Sequence, residues 1–290
     1  MRLSLILALL ACSAIAQQSL ERQIRSIAAD AHGKVSVACS LPGTRLNCDL
    51  DPSAHSPMQS VFKLPLGLTI LHEVVQGKFT LDQPIPFQKS DLILPKPYSP
   101  LQDKHPEAGV DVPLGDLLEM TVSSSDNTAA DMLLRLAGGA KVVGDYIASL
   151  GVRGFHLEDG ESALHRDHSL QYRNWFEAQG AVRLLLAISD HPPMTAEHTR
   201  LLLAWMRSSR ASRLALDLPA GTAVAHKAGT SDVDNGIAGA TNDIGLITLP
   251  DGRQLAVAVF VTDSTADEPT RSQVIARIGR AVYDYAIENP

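Results

Sequence analysis

The chain of 290 residues carries 25 Lys and Arg against 32 Asp and Glu, a formal charge of −7. With 45% hydrophobic and 20% charged residues it reads as a folded globular protein rather than a disordered one. The acidity and the 4% aromatic content leave neither the basic footprint of a nucleic-acid binder nor platforms for stacking bases, so no nucleic-acid partner is expected.

The N-terminus has the layout of an export signal. Met1-Arg2 is a short basic start, Leu3 to Ala11 is apolar, and Ala14-Ile15-Ala16 offers a small-x-small cleavage pattern. Cleavage near Ala16 would place residues 17–290 in the periplasm or outside the cell. Leu9-Leu10-Ala11-Cys12 loosely resembles a lipoprotein box, a second reading in which Cys12 carries a lipid, although Leu10 fits that box poorly. Beyond these residues no apolar run reaches the ~18 residues that a membrane-spanning helix needs.

Leu20, Ile24 and Ile27 recur at helical spacing and predict a helix over 19–31. Alternating runs predict strands near 34–39 and 45–50, separated by the turn signal Leu41-Pro42-Gly43-Thr44. Cys39 and Cys48 sit nearly symmetrically about that turn. An oxidising compartment permits a disulfide across the hairpin; two free, half-buried thiols are the other reading, and both stay open here. From Ser60 to about Gln76 the chain is apolar on nearly every side, as in a buried helix, with Pro65 in the first turn where a missing N–H costs least. The proline-rich stretch 85–110 reads as loop, and helical patterns return at 113–122, 128–149, 172–189 and 196–208. The period then changes to that of strands, at 222–230, 243–249 and 254–262, the last two joined by Pro250-Asp251-Gly252. Leu255 to Val261 is apolar on both faces, so this strand is expected to be central. A helix over 268–287 closes the chain, with Val274, Ile275, Ile278 and Val282 on one stripe.

The two ends thus supply five strands and two helices, and the middle supplies helices. The expected fold is α+β: a five-stranded antiparallel sheet flanked by the terminal helices, with an all-helical lobe inserted. The sheet domain would comprise 17–56 and 209–290, and the lobe 57–208.

Three short motifs carry candidate chemistry. Ser60-Val61-Phe62-Lys63 sets a hydroxyl and an amine at i and i+3, on one face of a helix. A serine is a weak nucleophile until a neighbour takes its proton. A helix cap followed by a solvated lysine is the plainer reading, but Lys63 lies in an apolar run, where a buried ammonium needs partners. Ser125-Asp126-Asn127 precedes a helical run, and either Asp126 or Asn127 would serve as a cap. His226-Lys227-Ala228-Gly229-Thr230 puts a lysine mid-strand with a glycine two on. That marks a strand that something approaches closely, or an edge strand charged against aggregation.

In this order and at these separations the motifs resemble those of the penicillin-recognising serine enzymes, which include class A β-lactamases and penicillin-binding proteins. Glu161-Ser162-Ala163-Leu164-His165 resembles the class A motif of Glu, two residues, Leu and usually Asn. That Glu separates a β-lactamase from a penicillin-binding protein. Ala240-Thr241-Asn242-Asp243-Ile244-Gly245 and Gln171-Tyr172-x-Asn174-Trp175 resemble the branch with PER- and CfxA-type enzymes. The resemblance runs from about residue 20 to the C-terminus.

It implies that Ser60 attacks a β-lactam carbonyl and that Lys63, or Glu161 through a water, takes its proton. Ser125, bridging Lys63 and Lys227, would protonate the lactam nitrogen. Backbone N–H groups of Ser60 and Thr230 would form the oxyanion hole. Asn127 would hold the substrate's side-chain amide, and Lys227, Thr230 and Ser231 its carboxylate. Glu161 would then activate the water that frees the acyl-enzyme. The resemblance implies no cofactor and no metal, a small β-lactam as the partner, and a monomer.

Several positions depart from the family pattern. Ala228 lacks the hydroxyl usual there, which ordinarily bonds the substrate carboxylate; such a contact is worth ~1.5–3 kcal/mol. Strand 243–249 has no arginine for that carboxylate. Arg213 matches the position of a substitute in some members; an exposed arginine is its other reading. His165 replaces the usual Asn, so its role in placing the hydrolytic water is an expectation of its own. Asp159 and Asn174 stand where an Arg–Asp clamp is usual, which implies a loop shaped as in PER-type enzymes.

Other readings remain. His165-Arg166-Asp167-His168 holds two histidines at i and i+3, which can share a metal, but no H-E-x-x-H is present. A D,D-peptidase or penicillin-binding protein would use the same Ser60 and Lys63 without Glu161. A degenerate lactam- or peptidoglycan-binding module would fit Ala228 and His165.

Overall fold

The computed structural model describes residues 20–190, 192–209 and 212–289. The export-signal and lipid-anchor readings, Cys12 and Ala16 included, lie outside the described residues. Helix α1 (20–29) and strand β1 (Lys34–Ser40) lead to β2 (Ser56–Pro57), a 3-10 turn (Gln59–Phe62) and α2 (Lys63–Val75). Next come β3 (Pro84–Phe87), α3 (Pro100–Lys104), β4 (Val110–Pro113) and α4 (Leu114–Glu119), which widens into a π-helical turn over Met120–Ser124. Helices α5 (Asn127–Ala137) and α6 (Ala140–Ser149), strand β5 (Phe155–His156) and helix α7 (Glu161–Arg166) follow. A 3-10 turn (His168–Arg173), β6 (Trp175–Phe176), α8 (Ala178–Ser189) and α9 (Ala196–Ser208) complete the middle. The chain ends with β7 (Val224–Thr230), β8 (Val233–Asp234), β9 (Ile237–Thr248), β10 (Gln254–Ser264) and α10 (Glu268–Glu288).

The main sheet is antiparallel, in the order β1-β10-β9-β7 with β8 added against β9. Every residue from Leu255 to Val261 in β10 is 0% exposed, as its two apolar faces require. Val257, Val259 and Val261 pack with Ile24, Ile278 and Val282 of the terminal helices. Ala256, Ala258 and Phe260 join the core of the helical layer, where Leu64, Leu66, Leu68 and Ile70 of α2 are also fully buried. The α+β reading holds, with an antiparallel five-stranded sheet.

The fifth strand differs from expectation. Residues 45–50 make one bridge to β1, between Val37 and Leu50, and β8 takes the place in the sheet. The reason is local: Thr44 Oγ1 accepts from Leu46 N and Asn47 Oδ1 from Asp49 N, so side chains take the donors a ladder would need. Cys39 and Cys48 are joined by a disulfide, with Cα atoms 5.7 Å apart, between β1 and this irregular return.

The middle is not purely helical either. The small sheets β2-β6-β5 and β3-β4 lie within it. Two-residue strands carry no alternation to read, and Pro84 and Pro86 mask β3, which pairs on one side only. The pattern over 128–149 divides at Gly138-Gly139, whose φ of +95° and +101° ends α5. The pattern over 172–189 becomes an α-helix only at Ala178.

Candidate active site

The SxxK serine sits in the 3-10 turn that feeds α2, and Lys63 is the first residue of that helix. The Lys63 side chain is 0% exposed, and its Nζ lies 3.0 Å from Ser60 Oγ, 2.8 Å from Ser125 O, 2.5 Å from Asn127 Oδ1 and 2.8 Å from Glu161 Oε1. Four acceptors thus surround an amine with three N–H bonds. Ser125 Oγ is a fifth neighbour at 3.5 Å.

The SDN loop owes its shape to the π-helical turn before it, which delivers Ser125 in the left-handed region at φ +61°. Asp126, not Asn127, is the cap of α5. Its buried carboxylate accepts from Ala129 N at 2.9 Å, Leu101 N at 2.7 Å and Ser99 Oγ at 2.8 Å. Asn127 is thereby free to turn its amide oxygen on Lys63.

Strand β7 is the edge of the sheet, and its outer side lies against the Gln59–Phe62 turn that carries Ser60. A methyl group on Gly229 would lie 2.5 Å from Met58 O and 3.2 Å from Ser60 N, so only glycine allows this approach. Asn242 of β9 helps hold the turn in place, donating to Pro57 O at 2.9 Å. Lys227, 1% exposed, donates to Ser125 Oγ at 2.9 Å and to Ala228 O at 3.1 Å. Burial first, then the neighbouring Lys63 charge, push the Lys227 ammonium down to about 7.

Glu161 begins α7, and its side chain is 9% exposed. Asp131, one turn along α5 from Asn127, holds that helix start: its carboxylate accepts from Glu161 N at 2.6 Å and Ser162 N at 2.8 Å. Burial pushes the Asp131 carboxyl up; the Glu161 charge adds to this, and the two bonds oppose it. Asn174 closes the neck of the loop beside an ion pair of Arg173 with Glu158 and with Asp159, the latter at 3.3 Å. Its Oδ1 accepts from Glu158 N at 2.8 Å and Asp159 N at 3.0 Å, and its Nδ2 donates to Asp159 O at 2.8 Å. Gln171 crosses from this loop, accepting from Gln59 Nε2 at 2.7 Å and packing where Gly239 has no side chain.

A cleft of about 600 Å³ is lined by Ser60, Ser125, Glu161, His165, Lys227 and Thr230, among others. His165 lies on its wall one turn after Glu161, its ring 6.4 Å from that of His168. Arg213 also borders the cleft and is not an exposed arginine: its side chain is 12% exposed. It donates to Thr230 Oγ1 at 2.9 Å, Ser272 Oγ at 3.0 Å and Glu268 Oε1 at 3.3 Å. Ser231 reaches the rim, but its hydroxyl accepts from Ala240 N at 2.9 Å and donates to Asp232 O at 2.9 Å, which orients it into the β7–β8 turn. Ala228 adds no hydroxyl beside it.

Asp131, Gln59, Gln171 and Asn242 carry no mark in the chain that shows them to be structural supports. Asp131 follows the SDN motif by one helical turn, but nothing local marks its partners some 30 residues on.

A family model described as the beta-lactamase enzyme family matches residues 19–286. Extended-spectrum beta-lactamase PER-1 of Pseudomonas aeruginosa is 37% identical over 271 residues, 93% of this chain and 88% of that protein. Beta-lactamase VEB-1 of the same organism is 32% identical over 271 residues, 92% of this chain and 90% of that protein. The crystal structure of a beta-lactamase from Chitinophaga pinensis superposes with a TM-score of 0.89 at 40% identity, covering 92% of this chain and 99% of that one.

Proposed function

Since the chain belongs to the beta-lactamase enzyme family, as a class A member, we propose that Ser60 is the nucleophile with which it opens the β-lactam ring of penicillins and cephalosporins. The enzyme is a hydrolase of the kind that confers antibiotic resistance. The observation that carries the assignment is the buried Lys63 Nζ, in reach of both Ser60 Oγ at 3.0 Å and Glu161 Oε1 at 2.8 Å.

In this reading Ser60 Oγ bonds to the lactam carbonyl carbon, and its proton passes to Lys63 and on to Glu161, or to Glu161 through water. Charge developing on the carbonyl oxygen meets the N–H groups of Ser60 and Thr230 at the β7 edge. The C–N bond breaks as Ser125 Oγ protonates the nitrogen and is reprotonated from Lys63, which recovers the proton held by Glu161 and leaves that carboxylate ionised. Glu161 then takes a proton from water, which attacks the ester, and Ser60 leaves with its proton restored. Lys227, Arg213 and the Thr230 hydroxyl hold the substrate carboxylate. Asn127 meets its side-chain amide, Ser231 borders the carboxylate site through its backbone turn, and His165 walls the water beside Glu161. The site lies between a sheet domain of 17–56 with 209–290 and a helical lobe of 57–208. Residues 1–16 are an export signal, and the mature enzyme works outside the cytoplasm as a monomer.

Purified residues 17–290 mixed with a chromogenic cephalosporin are expected to turn it over repeatedly. A single stoichiometric burst with a stable adduct would instead make the protein a penicillin-binding protein, and no adduct would remove Ser60 as nucleophile. The Lys227 ammonium also predicts a pH profile. Its charge is lost as pH rises through about 7, so kcat/KM for an anionic lactam should fall over that range. Lys227→Arg keeps the charge and should carry that limb to higher pH; an unmoved limb would assign it to another group.

A further inference from the structure

The two cations assigned to the substrate carboxylate stand on separate parts of the chain. Lys227 is in β7, and Arg213 is in the irregular segment after α9. One buried side chain touches both parts. Asp243, midway along β9 and 0% exposed, accepts through Oδ2 from Ser212 Oγ at 3.0 Å and Leu214 N at 3.1 Å. Those residues flank Arg213. Its Oδ1 lies 2.8 Å from Nδ1 of His226, which immediately precedes Lys227 and is 1% exposed. Asp243 pairs across the strands with Ala228, so it occupies the sheet face opposite Lys227 and does not line the cleft. A buried carboxylate is costly unless its oxygens are bonded, and here both are. Burial pushes its carboxyl up, but His226, the Leu214 N–H and the Arg213 charge outweigh that and hold it below the usual carboxylate range.

We propose that Asp243 is a positioning residue for substrate binding: from behind the sheet it holds Arg213 and Lys227 in register, so that together they grip the carboxylate of the β-lactam. The inference rests on the roles assigned to those two cations above. Asp243→Asn keeps shape and burial but converts one acceptor to a donor, so one of its two arms is lost.

The test compares a β-lactam acid with its methyl ester. For the acid, KM in Asp243→Asn should rise roughly tenfold or more while kcat changes far less. For the ester, kcat/KM should match that of the unmodified enzyme. Ser212→Ala removes a single bond to Asp243 and should show a smaller loss of the same kind; it carries the test if Asp243→Asn does not fold. Equal losses on acid and ester, or no loss on either, would overturn the proposal. If the unmodified enzyme itself shows no preference for the acid, the assignment of Arg213 and Lys227 fails, and this proposal with it.

Discussion

Glu161→Ala is expected to be acylated by a β-lactam and then to stay acylated. Acylation survives because Ser60 Oγ keeps Lys63 Nζ at 3.0 Å. Lys63 is not left without partners: as the neutral amine that takes the Ser60 proton, it gives its two N–H bonds to Ser125 O and Asn127 Oδ1 and turns its lone pair to Ser60 Oγ. The start of α7 also remains pinned, because Asp131 binds the backbone N–H of residues 161 and 162 and not the Glu161 side chain. What disappears is the carboxylate proposed to take a proton from the attacking water. Loss of a general base of this kind slows its step by roughly 10²–10⁴-fold. Intact-mass measurement should show the substrate's mass added and retained, and peptide mapping should place it on Ser60. Rapid return to the unmodified mass would show that Glu161 does not serve deacylation.

Gly229→Ala should damage the earlier step. The added methyl would meet Met58 O at 2.5 Å and Ser60 N at 3.2 Å, and these are backbone atoms that cannot swing aside like the end of a flexible side chain. Strand β7 must therefore draw back from the turn that carries Ser60. Overpacking of this sort costs about 1–3 kcal/mol in stability. The larger effect falls on the proposed oxyanion hole, whose two N–H groups, of Ser60 and Thr230, belong to the two backbones being forced apart; losing one such donor costs roughly 10²–10³ in rate. Acylation should fall by that order with no adduct building up, the opposite of the Glu161→Ala behaviour. Stopped-flow acylation alongside a thermal melt separates the two effects. Acylation near the parental rate would mean that the close approach is not needed for catalysis.

Much of this site could be read from short stretches of chain. The i, i+3 spacing of Ser60 and Lys63, the glycine two residues after Lys227 and the uninterrupted apolar run of β10 each express a rule that acts within one element. A hydroxyl and an amine three residues apart share a helix face wherever the helix sits, and a strand apolar on both sides has to be central. Spacing along the chain does not decide whether Cys39 and Cys48 form a bridge or stay two thiols, because a bridge depends on Cα separation.

Other features depended on partners far away in the chain. Residues 45–50 have the alternation of a strand, yet Thr44 and Asn47 spend local backbone donors on side-chain bonds and the ladder does not form. Arg213 is not an exposed arginine in the fold, where Thr230, Ser272 and Glu268 surround its guanidinium. Asp131 looks like a charge on a helix face, and its work is at the start of α7. Asp243 looks like a polar interruption of a buried strand, and it joins three segments at once. Local pattern was therefore enough for most of the elements and for the order of the motifs that meet in the cleft. Which carboxylate supports which cation came from packing, because a buried charge is tolerated only where distant donors converge on it, and that convergence exists only once the chain has closed on itself.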